Sequence, residues 1–207
     1  MAMHELPNYA ELHALSNFSF QRGVSHAHEL VERAAQLGYR AIAITDECSV
    51  SGVVRAHVAA KDLGLQLLPG AEFYVQAGPP EAAFADFRLV VLPHNAEGWG
   101  NLCEFITAAR AAGDVVEKGS YRVACSESDF SGLRHCEIIV CPLPGAIDMK
   151  ALQAVGTSTA ALFGINSWLA VELLQGLDDA LRLHQLQQVS AHCGWPAFIR
   201  LNCWPPR

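Results

Sequence analysis

Six side chains in this sequence could do metal or acid–base chemistry, and all fall at or just after apolar runs that read as strands. Glu11 and His13 lie in YAELHA, Asp46 and Glu47 follow AIAIT, Glu72 follows Pro-Gly, and His94 follows RLVVLP. Imidazole nitrogens and carboxylate oxygens brought together there would suit a divalent cation. Such a cation could activate water and neutralise phosphate charge during phosphoester cleavage. Polar residues also occur wherever strands leave a core, so position alone leaves a site and an ordinary strand end both open. His26-Ala-His28 resembles a metal pair, but it lies in a helical first turn, where residues two apart face different directions. His57, His184 and His192 fall on helices and read as packing or surface residues. The sequence contains no G-x-x-x-x-G-K-[ST], G-x-G-x-x-G or G-x-S-x-G element, so nothing supports a P-loop, a dinucleotide turn or a nucleophile elbow.

The elements that must position these groups alternate between strand and helix. Helical faces are expected over Ser25–Leu37, 51–63, 99–112 and 178–193, and glycines follow at Gly38, Gly64, Gly113 and Gly194. Apolar, β-rich runs predict strands beginning near residues 9, 41, 66, 88, 137, 169 and 197, with 65–75 read as a single strand. The Ser-, Gly- and Asp-rich stretch 113–136 reads as a long loop or short inserted element. This order predicts a seven-stranded, mostly parallel α/β fold with right-handed crossovers, either an open sheet or a closed barrel. In such folds the carboxyl ends of strands share one face, where sites form.

Composition narrows the function classes. The 207 residues are 51% hydrophobic and 17% charged, which describes one globular domain with a substantial core. A net charge of −7 argues against this chain gripping nucleic acid by itself. The cysteine count is 7, an odd number without a C-x-x-C pair, and most lie in apolar stretches, so buried thiols are expected. The amino terminus lacks the pattern of a signal peptide, and no stretch reaches the ~18 apolar residues of a membrane span. A cytoplasmic protein without membrane partners is expected.

The segment from YAELHALSNFSF to LLPGAEF closely resembles the start of bacterial polymerase III alpha-type chains, in particular their damage-inducible, error-prone branch. RLVVLPHNAEGWGNLCEFITAAR adds a second block and WLAVELLQGLDD a weaker third. The resemblance implies a PHP (polymerase and histidinol phosphatase) domain over 1–207, a distorted seven-stranded α/β barrel incomplete at its C-terminal end. It also implies that polymerase palm, fingers and thumb lie outside this chain.

Active members of that family bind up to three metals and hydrolyse phosphoesters, whereas others have lost their ligands and act as supports. Mapped onto the family motifs, H-x-H becomes His13-Ala-Leu15, with Leu15 at the second histidine, and T-D-H becomes Thr45-Asp46-Glu47. G-x-E is kept as Gly70-Ala-Glu72, and D-x-H becomes Asn202-Cys203-Trp204, so Asn202 and Trp204 replace both ligands. The ending PAFIRLNCWPPR departs from the family.

The resemblance therefore implies a metal-depleted support for an error-prone polymerase, with the rest of the polymerase chain as partner and DNA reached only through the full-length protein. Its cofactor would be none, or a weakly bound Mg²⁺, Mn²⁺ or Zn²⁺ held by His13, Asp46 and Glu72, with Glu11, Glu47 and His94 in reserve. The alternatives are an active phosphoesterase or 3′–5′ exonuclease, and a binding module for mutagenesis-complex proteins.

Overall fold

The computed structural model describes residues 9–76, 85–112, 114–117, 120–124, 130–145, 147–173, 176–195 and 198–201. The chain runs through β1 (Ala10–Ala14), α1 (Ala27–Gln36), β2 (Ala41–Ile44), α2 (Val53–Leu63), β3 (Gln66–Pro69), β4 (Ala71–Gln76) and β5 (Phe87–Pro93). It continues with α3 (Ala96–Ala112), β6 (Asp114–Glu117), β7 (Ser120–Ala124), β8 (Cys136–Pro142), α4 (Met149–Phe163), β9 (Ser167–Glu172), α5 (Asp179–Cys193) and β10 (Phe198–Leu201).

The strands form two sheets rather than one seven-stranded ladder. β1, β2 and β3 make a parallel three-stranded sheet. The other sheet has the order β10-β9-β8-β5-β4-β7-β6 and is mixed, because β5 runs antiparallel to both β4 and β8, and β6 to β7. The two sheets meet at a parallel bridge between Glu47 and Glu72, and β1 passes close to β10 at the other side. The seven expected strands are all present, beginning within two residues of the expected positions. The fold is α/β, but neither one continuous barrel nor wholly parallel.

The departures have physical causes. LQLLPGAEFYV is two strands because Gly70 turns the chain from one sheet into the other. A Cβ there would lie 2.6 Å from a Leu92 methyl and 2.7 Å from the Val91 carbonyl, so only glycine fits the corner. The expected loop over 113–136 contains the β6–β7 hairpin. Its two short strands extend the outer edge of the large sheet, where polar residues are tolerated. Gly38, Gly64 and Gly194 all adopt positive φ after α1, α2 and α5, as the repeated order of helix, glycine and strand predicts.

Strand alternation sorts the core into three layers. Ile42 and Ile44 face α1 and α2, meeting Leu30, Val31, Ala34 and Ala56. Phe73, Leu89, Val91, Ile138, Val140 and Leu169 face the helices of the large sheet. The intervening residues Ala43, Val90, Leu92, Ile139, Cys141 and Ala170 pack between the sheets as an inner layer. That alternation puts Glu72, Arg88 and Glu172 on the inner side of their strands too, since each lies an even number of residues from one of these or opposite one in register. Among the described residues, no helix is long and apolar enough to cross a membrane.

Candidate active site

A buried cluster of charges closes one end of the inner layer, and His13 is at its centre. β1 shifts register between Glu11 and Ala14, so Leu12 packs on the inner layer and His13 turns inward as well, while Ala14 packs under α1 and α2. The His13 Nε2 lies 2.6 Å from Glu72 Oε2, and its Nδ1 lies 3.5 Å from Glu172 Oε1. Burial alone would lower the imidazole pKa, but the two carboxylates outweigh it and raise it to about 9, so the ring is cationic at neutral pH. Glu72 is fully buried, which would raise its pKa, yet His13 and Arg22 together pull it down to about 2.

Arg22 completes the cluster from the loop between β1 and α1. Its Nη1 donates to Glu47 Oε2 at 2.8 Å and to Glu72 Oε1, and its Nη2 donates to Glu72 Oε2 at 3.2 Å. Burial works against the guanidinium's charge, but Glu72 and Glu47 reverse that and hold it protonated. Arg88 brings a second guanidinium, its Nε 3.8 Å from Glu72 Oε1 and buried without a hydrogen-bond partner. Three carboxylates (Glu47, Glu72 and Glu172) are thus matched by three cations, Arg22, Arg88 and the protonated His13.

Asp46 is close by but committed elsewhere. Its Oδ1 accepts from the Ser16 amide and the Ser19 hydroxyl, both at 2.8 Å, and its Oδ2 accepts from the Ser16 hydroxyl at 2.8 Å. The Ser19 hydroxyl oxygen in turn accepts from the Glu47 amide at 3.0 Å. These bonds fasten the Arg22 loop to the end of β2, and Arg22 and Gly23 donate their amides back to the Ser19 carbonyl. Glu11, also buried, accepts from the Tyr9 hydroxyl at 3.0 Å and the His13 amide at 3.2 Å. Burial raises its pKa despite those bonds.

The structure therefore brings Glu47, Glu72 and His13 together, binds Asp46 and Glu11 into supporting contacts beside them, and separates His94. His94 follows β5, whose antiparallel course carries it toward the start of β8. Pro93 pairs with Cys136 whereas Arg88 pairs with Cys141, so His94 lies on the order of 16 Å along the sheet from the cluster. There its ring lies 2.9 Å from Glu137. Leu15 lines a cleft of about 290 Å³ beside His13, Arg22 and Glu11, placing hydrocarbon against the cluster. Asn202 and Trp204 lie outside the described residues. His26 and His28 do not face apart. His26 is the extended residue before α1, which lets the two rings stack with centroids 5.5 Å apart.

Sequence reasoning missed Arg22, Arg88, Cys141 and Glu172. Glu172 carried a usable signal, being a carboxylate inside the apolar strand WLAVELL, where burial demands a partner. Arg22 sits in a polar loop and carried none. Among the described residues, one further group has metal-ligand character. His13, Cys141 and Glu172 each offer a ligand atom, and these lie within 4.8 Å of one another.

Comparison with known proteins supplies context for this geometry. A family model of the PHP domain matches residues 11–160. The error-prone DNA polymerase of Methylococcus capsulatus is 44% identical over 188 residues, covering 91% of this chain and 16% of that protein. That of Pseudomonas aeruginosa is 44% identical over 192 residues, again 91% of this chain and 16% of the relative. The chain thus corresponds to the N-terminal PHP region of these polymerases and spans about 16% of the length of such curated relatives. Two solved structures share the fold. A candidate metal-dependent phosphoesterase from Bifidobacterium adolescentis superposes with a TM-score of 0.64 at 14% identity, over 92% of this chain and 85% of that one. An amidohydrolase from Chromobacterium violaceum, solved with sulfate and no metal, gives 0.63 at 18% identity, over 90% and 84%.

Proposed function

Because the chain belongs to the PHP domain family, we propose that it serves as the catalytically silent PHP support of an error-prone polymerase acting in damage-induced synthesis. The observation that carries this reading is the occupation of the carboxylates by protein cations. Glu47 and Glu72 share Arg22, and Glu72 and Glu172 flank a protonated His13. A hydrolytic metal site needs about three protein ligands with free lone pairs, plus an open position for water. Here Asp46 accepts three hydrogen bonds from the Ser16–Ser19 turn, and Leu15 offers no donor. The residues present do not fit the multi-metal centre that the fold family implies. The rest of the polymerase chain would be the partner, and DNA would be reached through it, consistent with the net charge of −7.

One observation favours a second reading. His13, Cys141 and Glu172 could hold a single metal ion if the ring lost its proton, and this would support an atypical phosphoesterase or exonuclease.

Elemental analysis of the purified chain separates the two, combined with assays on a phosphodiester and on a mismatched 3′ DNA end in Mn²⁺, Mg²⁺ and Zn²⁺. The support reading expects metal far below one equivalent and no metal-dependent turnover. Turnover that disappears in His13→Ala or Glu72→Ala would overturn it.

A further inference from the structure

We infer that the Arg22 guanidinium stands in for a divalent cation, so that the cluster is complete without metal and the loop carrying Arg22 is what keeps metal out. The inference deepens the reading of a silent PHP domain and rests on it.

Glu47 and Glu72 come from different sheets, yet their backbones are bridged to each other. Both side chains are buried, at 5% and 0% exposure. Two carboxylates so placed repel strongly unless a cation lies between them. Arg22 Nη1 contacts both, so one protein cation bridges the pair. A guanidinium remains charged at any pH the fold survives, and its planar fork meets two acceptors at fixed angles. It therefore offsets one of the pair's two charges permanently, with Arg88 and His13 beside Glu72 supplying further positive charge, whereas a metal could dissociate.

The loop geometry shows that this arrangement is built in. Asp46 fixes Ser16 and Ser19 by three hydrogen bonds, and the turn closes with the Arg22 amide donating to the Ser19 carbonyl at 3.0 Å. The residue that elsewhere could serve as an oxygen ligand thus holds the arginine in position. Leu15 closes the same side of the cleft with hydrocarbon. Without Arg22, the buried carboxylates of Glu47 and Glu72 would lose their shared cation and present oxygen donors of the kind Mn²⁺ and Zn²⁺ accept.

The test is thermal unfolding of the 207-residue chain with Mn²⁺ or Zn²⁺ titrated to about 1 mM, with stabilisation read as a binding isotherm. Wild type and Arg22→Lys, which keeps the positive charge, should not respond to metal. Arg22→Gln should be less stable than wild type and recover with metal, with an apparent Kd on the order of tenfold to a hundredfold below the ~1 mM at which wild type shows no response. Equal metal response in wild type and Arg22→Gln would overturn the inference. So would an Arg22→Gln chain that stays unfolded in saturating Mn²⁺, because the metal would then fail to take the arginine's place. The nuclease assay on wild type is read separately. Turnover there removes the silent-domain reading, whereas a silent wild type with a metal-blind Arg22→Gln removes only the role given to Arg22.

Discussion

Two His–Glu pairs cap the same inner apolar layer from opposite ends. His13 and Glu72 lie 2.6 Å apart with side chains 9% and 0% exposed, whereas His94 and Glu137 lie 2.9 Å apart at 36% and 32%. Residue types and separations nearly coincide, but the surroundings do not. Around the first pair stand Arg22, Arg88 and Glu172, and each charge depends on the others because water cannot replace a missing partner. The second pair is open to water, and the Trp168 indole donates to the other oxygen of Glu137. Two buried carboxylates, acting against the burial itself, hold the His13 ring protonated.

The largest expected effect tests that contrast directly. Glu72→Ala should cost about 3–5 kcal/mol, because it leaves Arg22 and the His13 cation buried without their shared carboxylate. Urea unfolding measures it. A loss below about 1 kcal/mol would place the buried pair in the range of exposed ones and erase the distinction.

The next effect follows from pH. His13 is raised from 6.5 to about 9 in the folded state, so folding binds its proton more tightly. The stability this adds is fully present below 6.5 and is lost as pH rises through about 9. Glu72 behaves oppositely. Its folded pKa falls from 4.5 to about 2, so its contribution is present above 4.5 and lost as pH drops toward 2. Both shifts describe one coupled interaction, so the alkaline loss should be at most about 3 kcal/mol. Unfolding free energy measured between pH 6 and 10 should decline, and His13→Gln should flatten that decline. A flat wild-type profile would show that the ring is neutral when folded.

Asp46→Asn should have a smaller effect, about 1–3 kcal/mol, because an amide group would face donors that now all point at a carboxylate. Hydrogen exchange at the Ser16 amide, which donates to Asp46, should accelerate. If it does not, Asp46 is not what fastens the Arg22 loop.

Much of this arrangement was legible in the sequence where one physical pattern dominated. AIAIT, RLVVLP and EIIVC are apolar on both strand faces because helices cover one side and the opposing sheet the other, so the runs could be recognised without their partners. The helix α4 was missed because KALQAVGTSTAALF places Gly156 and three consecutive hydroxyl residues, Thr157 to Thr159, in its middle, which blurs the helical period. β6 is the edge strand, and β7 beside it holds only Val123 buried among its described side chains, so no apolar run marks the pair.

The site divides the same way. His13, Glu47 and Glu72 could be named because strand ends converge. Their partner Arg22 could not, because a loop's return path depends on tertiary bonds such as those to Asp46. His94 was grouped with them on the assumption that RLVVLP runs parallel to its neighbours. Local sequence carries no sign of strand direction, and β5 is antiparallel.

The smallest expected effect belongs to that misplaced histidine. His94→Ala removes the ring from a contact in which both side chains are about one third exposed, where lost attraction is largely replaced by hydration. Glu137→Ala alone is a poor probe, since it also strands the Trp168 indole, whose nitrogen donates to the other carboxylate oxygen. A double-mutant cycle over His94 and Glu137 removes that contribution, because the indole loses its acceptor in both Glu137 variants. The coupling energy should lie between about 0 and 1 kcal/mol and shrink further in about 1 M salt. The equivalent cycle over His13 and Glu72 should give a larger value that depends less on salt, since those two side chains are only 9% and 0% exposed. Should the two cycles agree, burial would not be what separates the two ends, and the charge balance around Arg22 would lose its physical basis.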